Sequence, residues 1–277
     1  MARLFLRADL DELAAYRQGG GPQPGDTATF KLSSNENPFD PLPSVQARVA
    51  EALAGFNRYP DTGGRALAER IGARYAVRPT QVALGAGSVE IISQLIRATA
   101  GAGDEIVFPW RSFEAYPLLT IAAGARPVMV PLTPQFRHDF AAMRGAVTDR
   151  TRLIIVCSPN NPTDTSVAAR ELEKFLSSVP PRIVVVIDEA YLQFNRDPDA
   201  AVGREFLGLY PSVSSCIPSP KPTDWPGCGS GTRWRRSLWY RPCGRCRCRS
   251  RLPTLPRSPE SRPLMRRLSS PNGSRCS

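Results

Sequence analysis

Three features of this 277-residue chain predict a doubly wound α/β domain built on a mostly parallel sheet. Five short apolar runs, at 81–87, 104–109, 126–132, 152–162 and 182–191, are bounded by turn residues or charges. Their centres are apolar at successive positions ("EIVF", "LIIV", "IVVVI"), so both faces need cover, as in a parallel sheet between helices. Helix-like segments at 88–97 and 168–179 separate them, and strand alternating with helix is the pattern of that architecture. Ligands of such sheets lie beyond the carboxyl ends of the strands, so the residues after each run are the ones to read for chemistry.

In chain order, residues 1–30 read as an N-terminal arm that ends in the Gly- and Pro-rich "QGGGPQPGD". Ser44 reads as an N-cap, with Val45, Val49 and Leu53 on one helical face. Leu67, Ile71 and Tyr75 repeat that spacing in a second helix. The strand–helix alternation then fills the rest of a large domain spanning 31–213, and there is no internal repeat.

Charge divides the chain at the same point. Residues 214–277 hold thirteen arginines and one lysine against Asp224 and Glu260, a net of +12, which leaves −1 on residues 1–213 out of the total of +11. Six of the seven cysteines and three of the four tryptophans also lie in the tail. The basic average therefore says nothing of the body, which is near neutral and poor in cysteine, the usage of a cytoplasmic protein. No N-terminal apolar core precedes Asp9 and Asp11, and no apolar stretch is long enough for a membrane span. Neither membrane nor nucleic acid is expected as a partner.

Three polar clusters follow the runs. Gly85-Ala86-Gly87-Ser88 closes a strand and opens a helix, where backbone N–H groups and the helix dipole can cradle a phosphate. By itself such a turn is more often structural, and "GAGSVE" lacks the third glycine of a dinucleotide site. Ser158-Pro159-Asn160-Asn161-Pro162-Thr163 reads in isolation as a turn. Asp188-Glu189-Ala190-Tyr191 puts a carboxylate at the end of a strand apolar on both faces, where it needs a salt bridge or a cationic ligand.

Together with "KLSSNENP" at 31–38 and "NRYPD" at 57–61, the three clusters resemble, in order and spacing, the fold-type I pyridoxal phosphate aminotransferases. The histidinol-phosphate and aromatic amino acid branch is the most similar, over roughly residues 28–213. The resemblance implies pyridoxal 5′-phosphate as cofactor, its phosphate on the backbone amides of Ala86, Gly87 and Ser88. It implies Phe113, in "WRSFEAYP", stacked on the pyridine ring, with Asn161 and Tyr191 bonded to the ring hydroxyl. Asp188 would pair with the ring nitrogen and keep it protonated, so that the ring accepts electrons from the substrate. Tyr59 would reach the phosphate in a neighbouring subunit, which implies a homodimer, and Asn35, Glu36 and Asn37 would line the substrate side. Asp164 stands where such proteins often have glycine. The implied activity is transamination between an amino acid and a 2-oxo acid. "WRSFEAYP" favours an aromatic amino acid, with histidinol phosphate as the alternative. No metal is expected.

The same resemblance calls for a Ser-Lys segment downstream of Asp188-Glu189-Ala190-Tyr191; its lysine binds the cofactor covalently and moves the substrate proton. Lys221 stands there by count, but between Pro220 and Pro222, and Gly229 occupies the place of a phosphate-binding arginine. The genetic code accounts for this. Reading the last base of each codon with the first two of the next, Trp225-Pro226 must give Ala, Asp224-Trp225 must give Leu, and Cys228-Gly229 permits only Arg or Trp. Over 217–232 the shifted triplets allow T-F-S-K-A-Y-G-L-A-G-L-R-V-G-Y, the missing motif. Residues 214–277 are therefore read as a frameshifted, disordered basic tail, with the slip at 211–214 and the family's small C-terminal domain missing or scrambled. On that reading the chain is an inactive remnant unless Lys221 can serve as the Schiff-base residue. A nucleic-acid arm would explain the arginines but not the codon agreement. Cys243, Cys246 and Cys248 lack a fourth spaced ligand for a metal. His138, the single histidine, reads as a surface loop residue.

Overall fold

The computed structural model describes residues 7, 35, 39–61 and 63–218, and the backbone of 230–234. Contacts divide the chain into Met1–Tyr240 and Arg241–Ser277, and every described residue lies in the first unit.

Helix α1 (Pro43–Leu53) starts on a proline, whose fixed φ and missing N–H suit the first helical position. Leu42 is its N-cap, so Ser44 sits inside the helix and does not cap it. None of its residues is buried. In α2 (Arg65–Tyr75) the buried positions are Ala68 and Gly72, one along from the predicted Leu67 and Ile71 stripe. Small residues win that face because the backbone comes close: a Cβ on Gly72 would lie 2.7 Å from the Val77 carbonyl oxygen.

The five apolar runs become β1 (Val82–Ala86), β2 (Glu105–Trp110), β3 (Arg126–Pro131), β4 (Thr151–Cys157) and β5 (Val184–Asp188). Two further strands, β6 (Val213–Pro218) and β7 (Ser230–Trp234), complete a seven-stranded sheet of order β1-β7-β6-β5-β4-β2-β3. Neighbours from β6 across to β3 are parallel, while β7 runs antiparallel to both β6 and β1. The helices between are α3 (Gly87–Thr99), α4 (Ala115–Ala122), α5 (Phe140–Gly145), α6 (Ala169–Ser178) and α7 (Gly203–Phe206).

The ordered sheet thus continues past the boundary expected at 213. β6 pairs with β5 from Val185↔Val213 to Asp188↔Cys216, and Ser214, Ser215, Cys216 and Ile217 are buried. An open edge on β5 would strand its backbone donors and acceptors in the interior. Backbone pairing can relieve this almost regardless of side chain.

Alternate residues of the strands feed two cores. Ile106, Phe108, Leu153 and Ile155 pack with Ile91, Ile92, Leu95 and Ile96 of α3 on one face. Val107, Ile154, Val156, Val185 and Ile187 pack with Leu172, Phe175 and Leu176 of α6 on the other. Each such side chain stabilises the fold by about 1.5–3 kcal/mol. His138 is a correction to the expected surface position: it is 4% exposed, stacked 5.8 Å from the Phe140 ring. Burial, seconded by the Arg137 charge, pushes its pKa down to about 4, so the ring stays neutral.

Candidate active site

Parallel β2, β4 and β5 bring their carboxyl ends to one edge of the sheet, and the polar clusters meet there. Asp188, the last residue of β5, is buried beside Cys157, the last of β4, in register. The Tyr116 hydroxyl donates to Asp188 Oδ2 at 2.6 Å. Tyr116 is itself wholly buried in α4. Burial and the adjacent carboxylate push its pKa well above the ordinary phenol value, which keeps it a donor. Its ring also meets Phe113 edge-on, with centroids 5.6 Å apart at 86°, and Phe108 at 5.7 Å. One side chain therefore holds both the carboxylate and the half-buried Phe113. Burial and then the Asp188 charge push Cys157 up to about 12, so it is an inert thiol.

The loop after β4 is tied to the loop after β2 by Asn160. Its Oδ1 accepts from Ser112 at 2.6 Å, and its Nδ2 donates to the Arg111 carbonyl at 3.1 Å and to Thr163 Oγ1 at 2.7 Å. Ser158 N–H donates to the Asp188 carbonyl at 3.0 Å. After β5, Glu189 turns away from that edge and accepts from Gly203 N–H at 2.9 Å and from the Ser215 hydroxyl. Burial pushes it up to about 7, with Asp188 adding to the rise and the two hydrogen bonds opposing it. Tyr191 accepts from Asn35 Nδ2 at 2.9 Å, which joins a residue of the N-terminal region to the strand edge.

At the turn from β1 into α3, Gly87 has φ +78°, a conformation that costs any residue with a Cβ. The Ala86 N–H points at Glu90 and donates to its carboxylate, so the helix start already holds an anionic group of its own.

A family model described as aminotransferase class I and II matches residues 27–217. The chain belongs to the class I and II aminotransferases. It is 54% identical over 201 residues to an aromatic amino acid aminotransferase of Cutibacterium acnes, covering 73% of this chain and 56% of that one. It is 50% identical over 208 residues to an aromatic amino acid aminotransferase of Streptomyces coelicolor, covering 75% and 58%. It also superposes with a TM-score of 0.67 and 25% identity on the crystal structure of histidinol-phosphate aminotransferase from Sinorhizobium meliloti in complex with pyridoxal-5′-phosphate, covering 73% and 55%. The chain thus spans under three fifths of the length of these relatives.

Of the residues singled out from the sequence, the aminotransferase fold gathers Phe113, Asn161, Asp188 and Tyr191 on loops and strand ends of one sheet edge, with Asn35 joined to Tyr191. Asn161 is half-buried in the loop after β4, which carries cis bonds before Pro159 and Pro162. Ala86, Gly87 and Ser88 form the β1–α3 turn. Tyr59 is 99% exposed in the segment after α1 and joins none of these contacts. Glu36, Asn37 and Lys221 lie outside the described residues. Tyr116, Ser112 and Asn160 were not singled out from sequence. The three-residue spacing of Phe113 and Tyr116, one turn of helix, is the signal that would have found the first. A cavity of about 520 Å³ lined by Tyr75, Arg78, Gln81 and Arg204 shares no residue with this site. Among the described residues, no cluster of His, Cys, Asp and Glu could hold a metal, and no helix is long and apolar enough to cross a membrane.

Proposed function

We propose that residues 31–217 form the cofactor half of a pyridoxal 5′-phosphate site. That site would move an amino group between an aromatic amino acid and a 2-oxo acid. The observation that carries this reading is the buried Asp188 carboxylate at the β5 end, bonded to Tyr116, with Phe113 beside it. A buried carboxylate at this strand end is the acceptor that a protonated pyridine nitrogen requires, and its charge favours the protonated form of that nitrogen. The other donors suit the same molecule: amides of Ala86, Gly87 and Ser88 for its phosphate, and Asn161 and Tyr191 for its ring hydroxyl. Glu90 must release the Ala86 amide for that phosphate to be held by all three. When bound, the cofactor supplies an electron sink at the substrate carbon. The chain's part would be to hold the ring beside Phe113, favour a proton on its nitrogen through Asp188, and orient substrate from the side of Asn35, Glu36 and Asn37. The aromatic substrate is supported by the two relatives of that name at 54% and 50% identity, histidinol phosphate by the superposed structure at 25%.

The intact protein is read as a homodimer acting in the cytoplasm. Tyr59 would cross to the partner, and the exposed Phe39, Leu42, Leu53 and Phe56 would lie on the shared face.

The lysine that should bind the cofactor is read as lost to a shift of reading frame, with Lys221 a coincidence of count. The family match stops at 217, just where the composition changes. The test compares this chain with the same gene restored to phase by one base at codons 211–214. Both are titrated with pyridoxal 5′-phosphate and assayed with phenylalanine, tyrosine and histidinol phosphate against 2-oxoglutarate. Restoration should create lysine-dependent cofactor absorbance and aromatic transamination, while Lys221→Ala leaves the unrestored chain unchanged. Equal activity in the two chains, or a DNA sequence without the overlapping motif, would sink the frame reading. Restored protein that binds no cofactor would sink the functional one.

A further inference from the structure

Tyr116 lies one layer behind the proposed cofactor face and contributes to two of the groups assigned to it. Its hydroxyl donates to Asp188 Oδ2 at 2.6 Å, and its ring forms a T-shaped pair with Phe113 at a centroid distance of 5.6 Å. Phe108, itself fully buried in β2, also packs against the same phenol, at a centroid distance of 5.7 Å. The Thr120 hydroxyl donates to the Tyr116 carbonyl at 2.7 Å, which pins the α4 turn that carries it. The side chain has no freedom to swing away, because it is enclosed on every side.

We infer that Tyr116 is a positioning residue for the cofactor. Its O–H fixes the Asp188 carboxylate in the orientation that meets the ring nitrogen, and its ring, near-perpendicular to that of Phe113, holds the Phe113 plane. This rests on the functional reading above, in which Asp188 and Phe113 touch the cofactor. A carboxylate has rotational freedom about its terminal bond. A short hydrogen bond to one oxygen removes that freedom and polarises the group, so the nitrogen meets an acceptor already in place. A structural role alone would require only packing, which phenylalanine would satisfy; the hydroxyl is the part the inference turns on.

The test is a double-mutant cycle on the full chain with pyridoxal 5′-phosphate itself as the probe. Binding is read by fluorescence titration and by the absorption maximum of the bound cofactor, with a thermal melt of each variant alongside. Tyr116→Phe should weaken binding about tenfold, the worth of one hydrogen bond to a charged group, and shift the absorption maximum. In an Asp188→Asn background the same substitution should change the Kd less than twofold and leave the spectrum unmoved. Tyr116→Leu, which also removes the ring against Phe113, should lose more than Tyr116→Phe in both backgrounds. Site-specific 3-fluorotyrosine at 116, the same shape with a more acidic hydroxyl, should move the absorption opposite to Tyr116→Phe, and it serves if Tyr116→Phe fails to melt cooperatively. Equal losses from Tyr116→Phe with and without Asp188, or no loss at all, would overturn the inference and leave the functional reading standing. Absence of cofactor binding both in this chain and in the chain restored to phase would overturn both; where only the restored chain binds, the cycle is run on that chain.

Discussion

Ser112 and Asn160, 48 residues apart in the chain, meet at 2.6 Å inside the protein, and Asn160 uses its remaining donor on Arg111 and Thr163. This buried amide fastens the loop that carries Phe113 to the loop that carries Asn161. Asn160→Ala would leave the Ser112 hydroxyl and the Arg111 carbonyl without it. The expected cost is about 2–3 kcal/mol by urea unfolding, since each orphaned buried polar group costs about 1–3 kcal/mol. A loss below about 0.5 kcal/mol would show that water replaces the amide and that the two loops are not coupled through it.

Asp164 sits at φ +57°, with its N–H on the Asn160 carbonyl at 2.7 Å. The left-handed conformation strains any residue with a Cβ, less for Asp than for most, while glycine adopts it freely. Asp164→Gly should raise stability by about 0.5–1 kcal/mol despite the greater freedom of glycine in the unfolded chain. The thermal midpoint is the measurement, and a lower midpoint would contradict the strain argument.

His138 and Glu189 should oppose each other in the pH dependence of stability. His138 is depressed from 6.5 to about 4 by burial, so it contributes stability above pH 6.5 that is lost as pH falls towards 4. Glu189 is raised from 4.5 to about 7 by burial, so it contributes stability below pH 4.5 that is lost as pH rises through 7. Each amounts to roughly 3 kcal/mol over its window, and between pH 4.5 and 6.5 the slopes cancel. His138→Leu should lose stability with rising pH relative to the parent, and Glu189→Gln with falling pH. Denaturant midpoints at pH 4.5, 5.5 and 6.5 decide it: a slope unchanged by either substitution would refute the assignment for that residue.

Gly203 makes Glu189 possible at that place. A Cβ there would stand 2.5 Å from Glu189 Oε2 and 3.0 Å from the Ser215 side chain. Gly203→Ala should cost about 1–3 kcal/mol through overpacking. Most of that should return in the double variant with Glu189→Ala, as measured by chemical denaturation. Additive losses would place the strain elsewhere.

The apolar runs determined five of the seven strands by themselves, because strands covered on both faces must be apolar at successive positions, whatever surrounds them. "RIVVVIDEAY" announced both β5 and the carboxylate at its end, and "GAGS" the strand-to-helix turn. What the sequence left open was which distant residues meet. α4 was not legible, since "AYPLLTIA" has apolar residues on all sides and so no period to read. The buried face of α2 was misplaced because close backbone approach selects Ala68 and Gly72, a demand that comes from the partner segment and not from the helix. β6 reads as "VSSCIP", with no apolar pattern. It joins the sheet through the unpaired backbone of β5, which accepts a partner on main-chain geometry. Tyr116 as the holder of Asp188, and Asn160 as the tie between two loops, were decided by tertiary structure alone. A hydrogen bond across 72 or 48 residues leaves no local mark, whereas a run of apolar side chains is local by its nature.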